Sequence, residues 1–228
     1  MPTKHVIAFK ETASPLTSTS TKFGGQPNWV SEPQWPLSEE TGNPMRFIGQ
    51  IALAEVPGFA TEAQVAYIFM TDEEDGEHVD GIWDPDSGEN AVVLQPGDCD
   101  VDFEELAEGP TLFRLVQKEG QSRVSQEFCE FAVSLTPTED VEYMSEGDRW
   151  KLPDVKQKAA RGVLEESKIG GTPVFLQGDE LPFEEGWQLL LQLDSGTAPF
   201  RVNFGDVGIG YAFMNSDGTE AKFLWQCG

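Results

Sequence analysis

Three carboxylates stand on alternate positions at Asp98, Asp100 and Asp102. A calcium loop begins this way, because a hard cation gathers oxygen ligands in number. An EF-hand also requires Gly at its sixth position and a bidentate Glu at its twelfth, where this chain has Phe103 and Gly109. Calcium is thus the one cofactor the residues hint at, and no other is expected. Asp84, Asp86 and Gly88 open a similar pattern and fail it in the same way. Zinc has less to hold it, since His5 and His78 lie 73 positions apart and the cysteines form no ligand cluster. Those cysteines, Cys99, Cys129 and Cys227, are odd in number and never in a CxxC spacing, as expected of thiols kept reduced. Neither histidine shares a nucleophile motif with a Cys or a Ser.

Two carboxylates flanking a cleft can cleave a glycoside, but with 40 acidic residues some pair must fall at the right separation. No catalytic residue is therefore assigned. An enzyme reading, a hydrolase or another enzyme working on a small polar substrate where the two halves of the chain meet, stands as the alternative to binding. Gly24-Gly25 and Gly170-Gly171 match neither the P-loop nor the dinucleotide spacing, so they are expected as turn glycines. The adjacent Lys22 and Lys168 are expected to pair with carboxylates.

Trp29 and Trp35 lie in a proline-rich stretch, where exposed rings can anchor a protein partner while carboxylates steer it. The candidate partner-binding residues are Trp29, Trp35 and the acidic run Asp72, Glu73, Glu74 and Asp75. Trp83 and Trp225 are expected in the core. Formal net charge is −25, and residues 71–150 hold 23 acids against 4 bases. Such a field repels phosphate backbones and anionic lipid, which argues against nucleic acid and membrane as partners and in favour of a basic protein. No apolar run is long enough to span a bilayer and the N-terminus does not read as a secretory signal, so a cytoplasmic location is expected. Oligomeric state is left open.

The elements that would position these residues recur along the chain. Thr21-Lys22-Phe23-Gly24-Gly25-Gln26-Pro27 returns as Ser167-Lys168-Ile169-Gly170-Gly171-Thr172-Pro173, an offset of 146. Phe47–Ile51 is followed by Tyr67–Met70 and Trp83; Leu189–Leu193 is followed by Tyr211–Met214 and Trp225. These spacings predict an internal duplication: one domain over 1–228, with a first half at 1–150 and a second at 151–228. Strands are expected at 6–9, 46–53, 65–70, 78–83, 91–95, 111–118, 127–133, 187–193, 208–214 and 221–226, and a short helical turn at 102–107. One helix of roughly 12 residues should start at Pro153-Asp154. The fold class is α+β, mostly antiparallel β with few helices.

Lys22-Phe23-Gly24-Gly25-x-Pro27, Trp35-Pro36, Phe47-Ile48-x-Gln50-Ile51 and the Tyr67–Met70 strand together resemble the YwqG-like family of bacterial proteins, a domain of unknown function. That family is similar to the core of eukaryotic programmed cell death protein 2. The resemblance implies a β-rich fold built from a duplicated unit. For the eukaryotic relatives it implies chaperoning of a basic ribosomal protein, and for some bacterial members immunity against toxins. It supplies no catalytic residue. In the second copy Phe175 stands where the first has Trp29, and Leu181-Pro182 replaces Trp35-Pro36.

Overall fold

The computed structural model describes residues 1–72, 79–97, 107–117, 124–154, 156, 166–179 and 186–228. Twelve strands run through them: β1 (Thr3–Glu11), β2 (Lys22–Gly24), β3 (Arg46–Ala52), β4 (Val65–Met70), β5 (Asn90–Gln95), β6 (Phe113–Gln117), β7 (Val124–Phe128), β8 (Glu130–Glu139), β9 (Lys168–Gly170), β10 (Gln188–Asp194), β11 (Ile209–Met214) and β12 (Ala221–Gln226). A single-turn helix, α1 (Glu146–Arg149), is capped by the Ser145 side chain, which accepts from the Asp148 amide at 3.2 Å. Ten strands form one antiparallel sheet in the order β12-β11-β10-β9-β1-β8-β2-β3-β4-β5, and β6 and β7 make a separate hairpin. The end strands β5 and β12 lie against each other, which curls the sheet into a nearly closed barrel. The fold is mostly antiparallel β, as the sequence predicts.

Burial on both faces explains why the central strands read as unbroken apolar runs. On β4, Ala66, Ile68 and Met70 point into the barrel interior, while Val65, Tyr67 and Phe69 join an outer cluster with Trp35, Met45 and Phe47. On β11, Ala212 faces inward, and Ile209, Tyr211 and Phe213 pack outward with Phe175, Leu189 and Leu224. The partners of these two strands each carry a register shift, between Phe47 and Gly49 on β3 and between Leu189 and Leu191 on β10. A bulge lets consecutive residues serve opposite needs: Phe47 and Leu189 belong to the outer clusters, Ile48 and Leu190 to the inner one.

Several local expectations change. No strand forms over residues 79–83, of which 80–83 are turn; the strand that follows β4 and pairs with it is β5. Val79 and Ile82 are nevertheless buried, so their apolar character reflects a turn folded onto the core. Trp83 is 47% exposed instead of buried, with its ring 6.5 Å from that of Trp225. The stretch 127–133 is split at Cys129 between β7 and β8, because Cys129 donates its amide out of the sheet to Leu112 O at 3.2 Å. Most of the helix expected from Pro153, and the turn expected at 102–107 apart from Ala107, lie outside the described residues. By Lys168 the chain is strand.

Candidate functional site

Each Lys-x-Gly-Gly segment is a buried ion-pair latch. The Lys22 ammonium, 1% exposed, donates to Glu130 Oε1 at 2.7 Å and to the carbonyl of Gln26 at 2.6 Å. Lys168, fully buried, donates to Asp140 Oδ2 at 2.7 Å and to the carbonyl of Thr172 at 2.6 Å. The glycines make room for this. Gly24, Gly25, Gly170 and Gly171 all have φ between 65° and 79°. A Cβ on Gly25 would overlap Glu130 Oε1, and one on Gly171 would overlap Asp140 Oδ2. The second glycine of each pair is therefore the gap through which the carboxylate reaches the lysine.

Both carboxylates come from β8 or its end, which runs beside β1 at the centre of the sheet. Glu130 Oε2 accepts from the Leu16 amide at 2.9 Å. Asp140 accepts from the amides of Thr172 and Val141, both at 2.9 Å. Lys4, from β1, adds a second ammonium 3.5 Å from Asp140 and is also paired with Glu166. Burial lowers the pKa of Lys22 and of Lys168 more than their carboxylate partners raise it. Burial would raise that of Asp140, but the Lys168 ammonium and the Thr172 amide overcome it and hold the carboxyl below its usual range. Lys4 is desolvated too, yet Glu166 and Asp140 together carry its pKa upward.

Beyond each latch the chain is pinned to the sheet by the same residue types. Gln50 accepts from the Asn28 amide at 2.8 Å, and Gln192 from that of Val174 at 3.1 Å. Gln95 accepts from the amides of Val30 and Ser31, and Gln226 from those of Leu176 and Gln177. Tyr67 donates to Asn28 O at 2.8 Å and Tyr211 to Val174 O at 2.9 Å. Gln95 thus does in the first set what Gln226 does in the second, which pairs Leu94 with Trp225 and leaves Trp83 without the counterpart its spacing suggested.

A cleft of about 360 Å³ opens beside the second latch, where β1, residues 56–59, Gly170–Pro173 and the start of β10 meet. His5, Phe59, Tyr143, Thr172 and Trp187 line it, and among the described residues its lining includes no Asp, Glu, Lys or Arg. Burial and a hydrogen bond to Asp179 raise the pKa of Tyr143. Neither His5 nor Tyr143 stood out in the sequence, because nothing local marks which loop will cover them.

The predicted partner-binding rings are packed. Trp35 is 9% exposed and donates to Met45 O at 2.8 Å. Trp29, half-buried, stacks 6.1 Å from Phe69 and donates to Ala107 O at 3.0 Å. Asp72 is engaged by Arg46 at 2.6 Å. Glu73, Glu74 and Asp75 lie outside the described residues, as do Asp98, Asp100 and Asp102. Among the described residues no group of three His, Cys, Asp or Glu side chains is placed to hold a metal. Exposed carboxylates do converge elsewhere. The turns at 38–43 and 79–90 meet through Glu39 N to Gly88 O at 3.2 Å and Glu40 N to Glu89 Oε1 at 2.9 Å. Glu39, Glu40, Asp80, Asp84 and Asp86 are all exposed there.

A family profile described as a domain of unknown function (DUF1963) matches residues 21–224, from the residue before Lys22 into β12. The chain belongs to the DUF1963 family. The matched span contains both Lys-x-Gly-Gly latches and their carboxylates, so the paired architecture lies within the DUF1963 domain. No curated protein matches the chain. Among its described residues no helix is long and apolar enough to cross a membrane.

Proposed function

We propose that this DUF1963 protein is a non-catalytic binding module of the YwqG-like kind that captures a basic protein through its acidic surface. The observation that carries the reading is the charge: 40 acids against 15 bases, with Glu39, Glu40, Asp80, Asp84 and Asp86 gathered where two turns meet. A concentrated negative field raises the encounter rate with a cationic partner and disfavours anionic ones. The lysines and carboxylates of the latches are consumed in holding the sheet. Among the described residues, those that line the cleft include no carboxylate. Binding therefore accounts for the arrangement better than hydrolysis does. The client would be a toxin domain neutralised in the cytoplasm, or a basic protein escorted before assembly. The recurrence of the latch, the Gln pins and the Tyr donor supports the further reading that the two sets arose by duplication.

The test is capture from the native lysate by purified protein at low ionic strength, repeated at about 0.5 M salt, where the screening length falls to a few Å. We expect a basic protein that is released by salt and is not captured by a Glu39→Lys, Glu40→Lys, Asp80→Lys variant. Capture of no basic protein, or capture indifferent to both salt and charge reversal, would overturn the reading.

A further inference from the structure

We propose that the β6–β7 hairpin is where this protein pairs with a second copy of itself, β7 running antiparallel to the second copy's β7 across a two-fold axis at Gln126. The hairpin is built inside out. Beyond the buried Phe113 at its base, Leu115, Gln117, Val124, Gln126 and Phe128 form an exposed face, while Arg114, Val116, Ser125 and Glu127 are half-buried. Leu115 is 50% exposed, Val124 54% and Phe128 78%. Apolar side chains thus stand on the face that a solvated hairpin keeps polar.

Hydrogen-bond direction shows which backbone groups are on offer. The Cys129 amide donates to Leu112 O at 3.2 Å and the Arg201 amide to Phe113 O at 2.8 Å. Leu112 therefore faces Cys129 as a bonded pair, and Phe113 turns its carbonyl away from β7. The register pairs Phe113 with Phe128, Leu115 with Gln126 and Gln117 with Val124. Alternation along it directs the N–H and C=O groups of Phe128, Gln126 and Val124 outward from the hairpin. Among the described residues β7 pairs with no strand but β6. The ends of the large sheet, β5 and β12, lie against each other, and Arg201 caps the base of β6. β7 carries no proline or lysine of the kind that guards an edge.

Sequence and charge select a second copy as the occupant. With Gln126 on the axis, Phe128 lies opposite the second copy's Val124 and Glu127 opposite its Ser125. An aromatic ring then meets a β-branched side chain twice, and no like charges face each other. The two Gln126 amides, each both donor and acceptor, meet across the axis. Two chains of net charge −25 repel each other over most of their surfaces. Residues 113–128 instead hold three bases, Arg114, Lys118 and Arg123, against two acids, Glu119 and Glu127, a net of +1. Three of the four bases in residues 71–150 belong to this stretch. It is the approach that repels a second copy least and attracts a basic client least.

Sedimentation velocity over about 1 to 200 μM protein, at low and at about 0.5 M salt, tests this. We expect a weak monomer–dimer equilibrium with Kd about 10–100 μM, because a five-residue edge makes a small interface. Salt should tighten it several-fold by screening the repulsion between the acidic bodies, opposite in sign to its effect on client capture. Gln126→Pro removes an outward N–H and no β6–β7 bond, and Phe128→Lys sets a charge on the pairing edge. Each should weaken dimerisation about tenfold or more. Melting curves check that both variants fold. Gln126→Cys should give a disulfide-linked dimer on mild oxidation, since a bonded antiparallel pair holds its Cα atoms about 5.5 Å apart. Gln117→Cys, on the same exposed face but on β6, and the unsubstituted chain should not. A monomer at every concentration, a dimer untouched by both Gln126→Pro and Phe128→Lys, or a dimer that salt dissociates would overturn the proposal.

Discussion

Adding one methyl group at Gly25 or Gly171 tests whether the latches hold this fold. Both glycines have positive φ, 65° and 79°. An L-residue there costs about 1–2 kcal/mol in backbone conformation alone. Gly42 has nearly the same φ, 71°, and nothing within 4 Å of an added Cβ, so Gly42→Ala measures that backbone cost by itself. At Gly25 and Gly171 the new Cβ also occupies the place of the carboxylate oxygen that meets the lysine. A carboxylate is normally free to swing aside. Here Glu130 is tied to the Lys22 ammonium and the Leu16 amide, and Asp140 to Lys168, Thr172 and Val141. Moving either one strands a buried ammonium, a loss of about 3–5 kcal/mol. The two contributions give roughly 4–7 kcal/mol at Gly25 or Gly171 against about 1–2 at Gly42. Domains of this kind hold only about 5–15 kcal/mol in total, so the first two variants should be close to unfolding. Urea unfolding followed by tryptophan fluorescence reads this out as the shift in midpoint at unchanged slope. If Gly25→Ala and Gly171→Ala lie within about 1 kcal/mol of Gly42→Ala, the latches contribute little and the reasoning fails.

Asp140→Asn leaves Lys168 and Lys4 without their shared carboxylate and should destabilise the protein by about 3–5 kcal/mol in the same assay, whereas replacing Asp140 and Lys168 together by Leu and Met should recover much of the loss. Because the Asp140 carboxyl is held below its usual range, the unfolded chain takes up that proton first on acidification. Its stabilisation is thus complete above about pH 4 and drains away as pH falls through the folded value; an acid-unfolding curve of Asp140→Asn should lose that part of the slope. Trp35→Ala, which empties a buried site and strands Met45 O, should cost about 3–5 kcal/mol, while Trp150→Ala, 68% exposed, should stay within about 0.5 kcal/mol. Burial pushes the Cys129 thiol up to about 11, so iodoacetamide at neutral pH should spare Cys129 in the native protein and label it in urea, as peptide mass spectrometry would show.

The strands were legible where both faces are buried: Val65–Met70 reads directly from its apolar run. They were misread where apolar residues cover a turn, as Val79 and Ile82 do. Lys22 and Lys168 could be expected to meet carboxylates, but not Glu130 and Asp140, which lie 108 and 28 positions away at the start of β8 and just past its end, a strand that the sequence marks only by alternation. The Trp83 and Trp225 spacing misled because only the second tryptophan lies in a strand. Trp29 and Trp35 illustrate the same limit, since a proline-rich stretch does not show which face of the sheet it will cover. The cleft was illegible altogether, being assembled from residues as far apart as His5 and Phe213.

The placement of β1 has a consequence for synthesis. It pairs with β8 on one side and β9 on the other, so its own edge is completed only by residues that emerge roughly 160 positions later. Contacts this distant slow folding, because loop closure must precede them. While the ribosome is still translating the second set of strands, β1 exposes an open edge and Asp140 has Lys4 but not yet Lys168. A nascent chain in that state is a substrate for holding chaperones, and pauses in translation between Asp140 and Lys168 would lengthen its exposure.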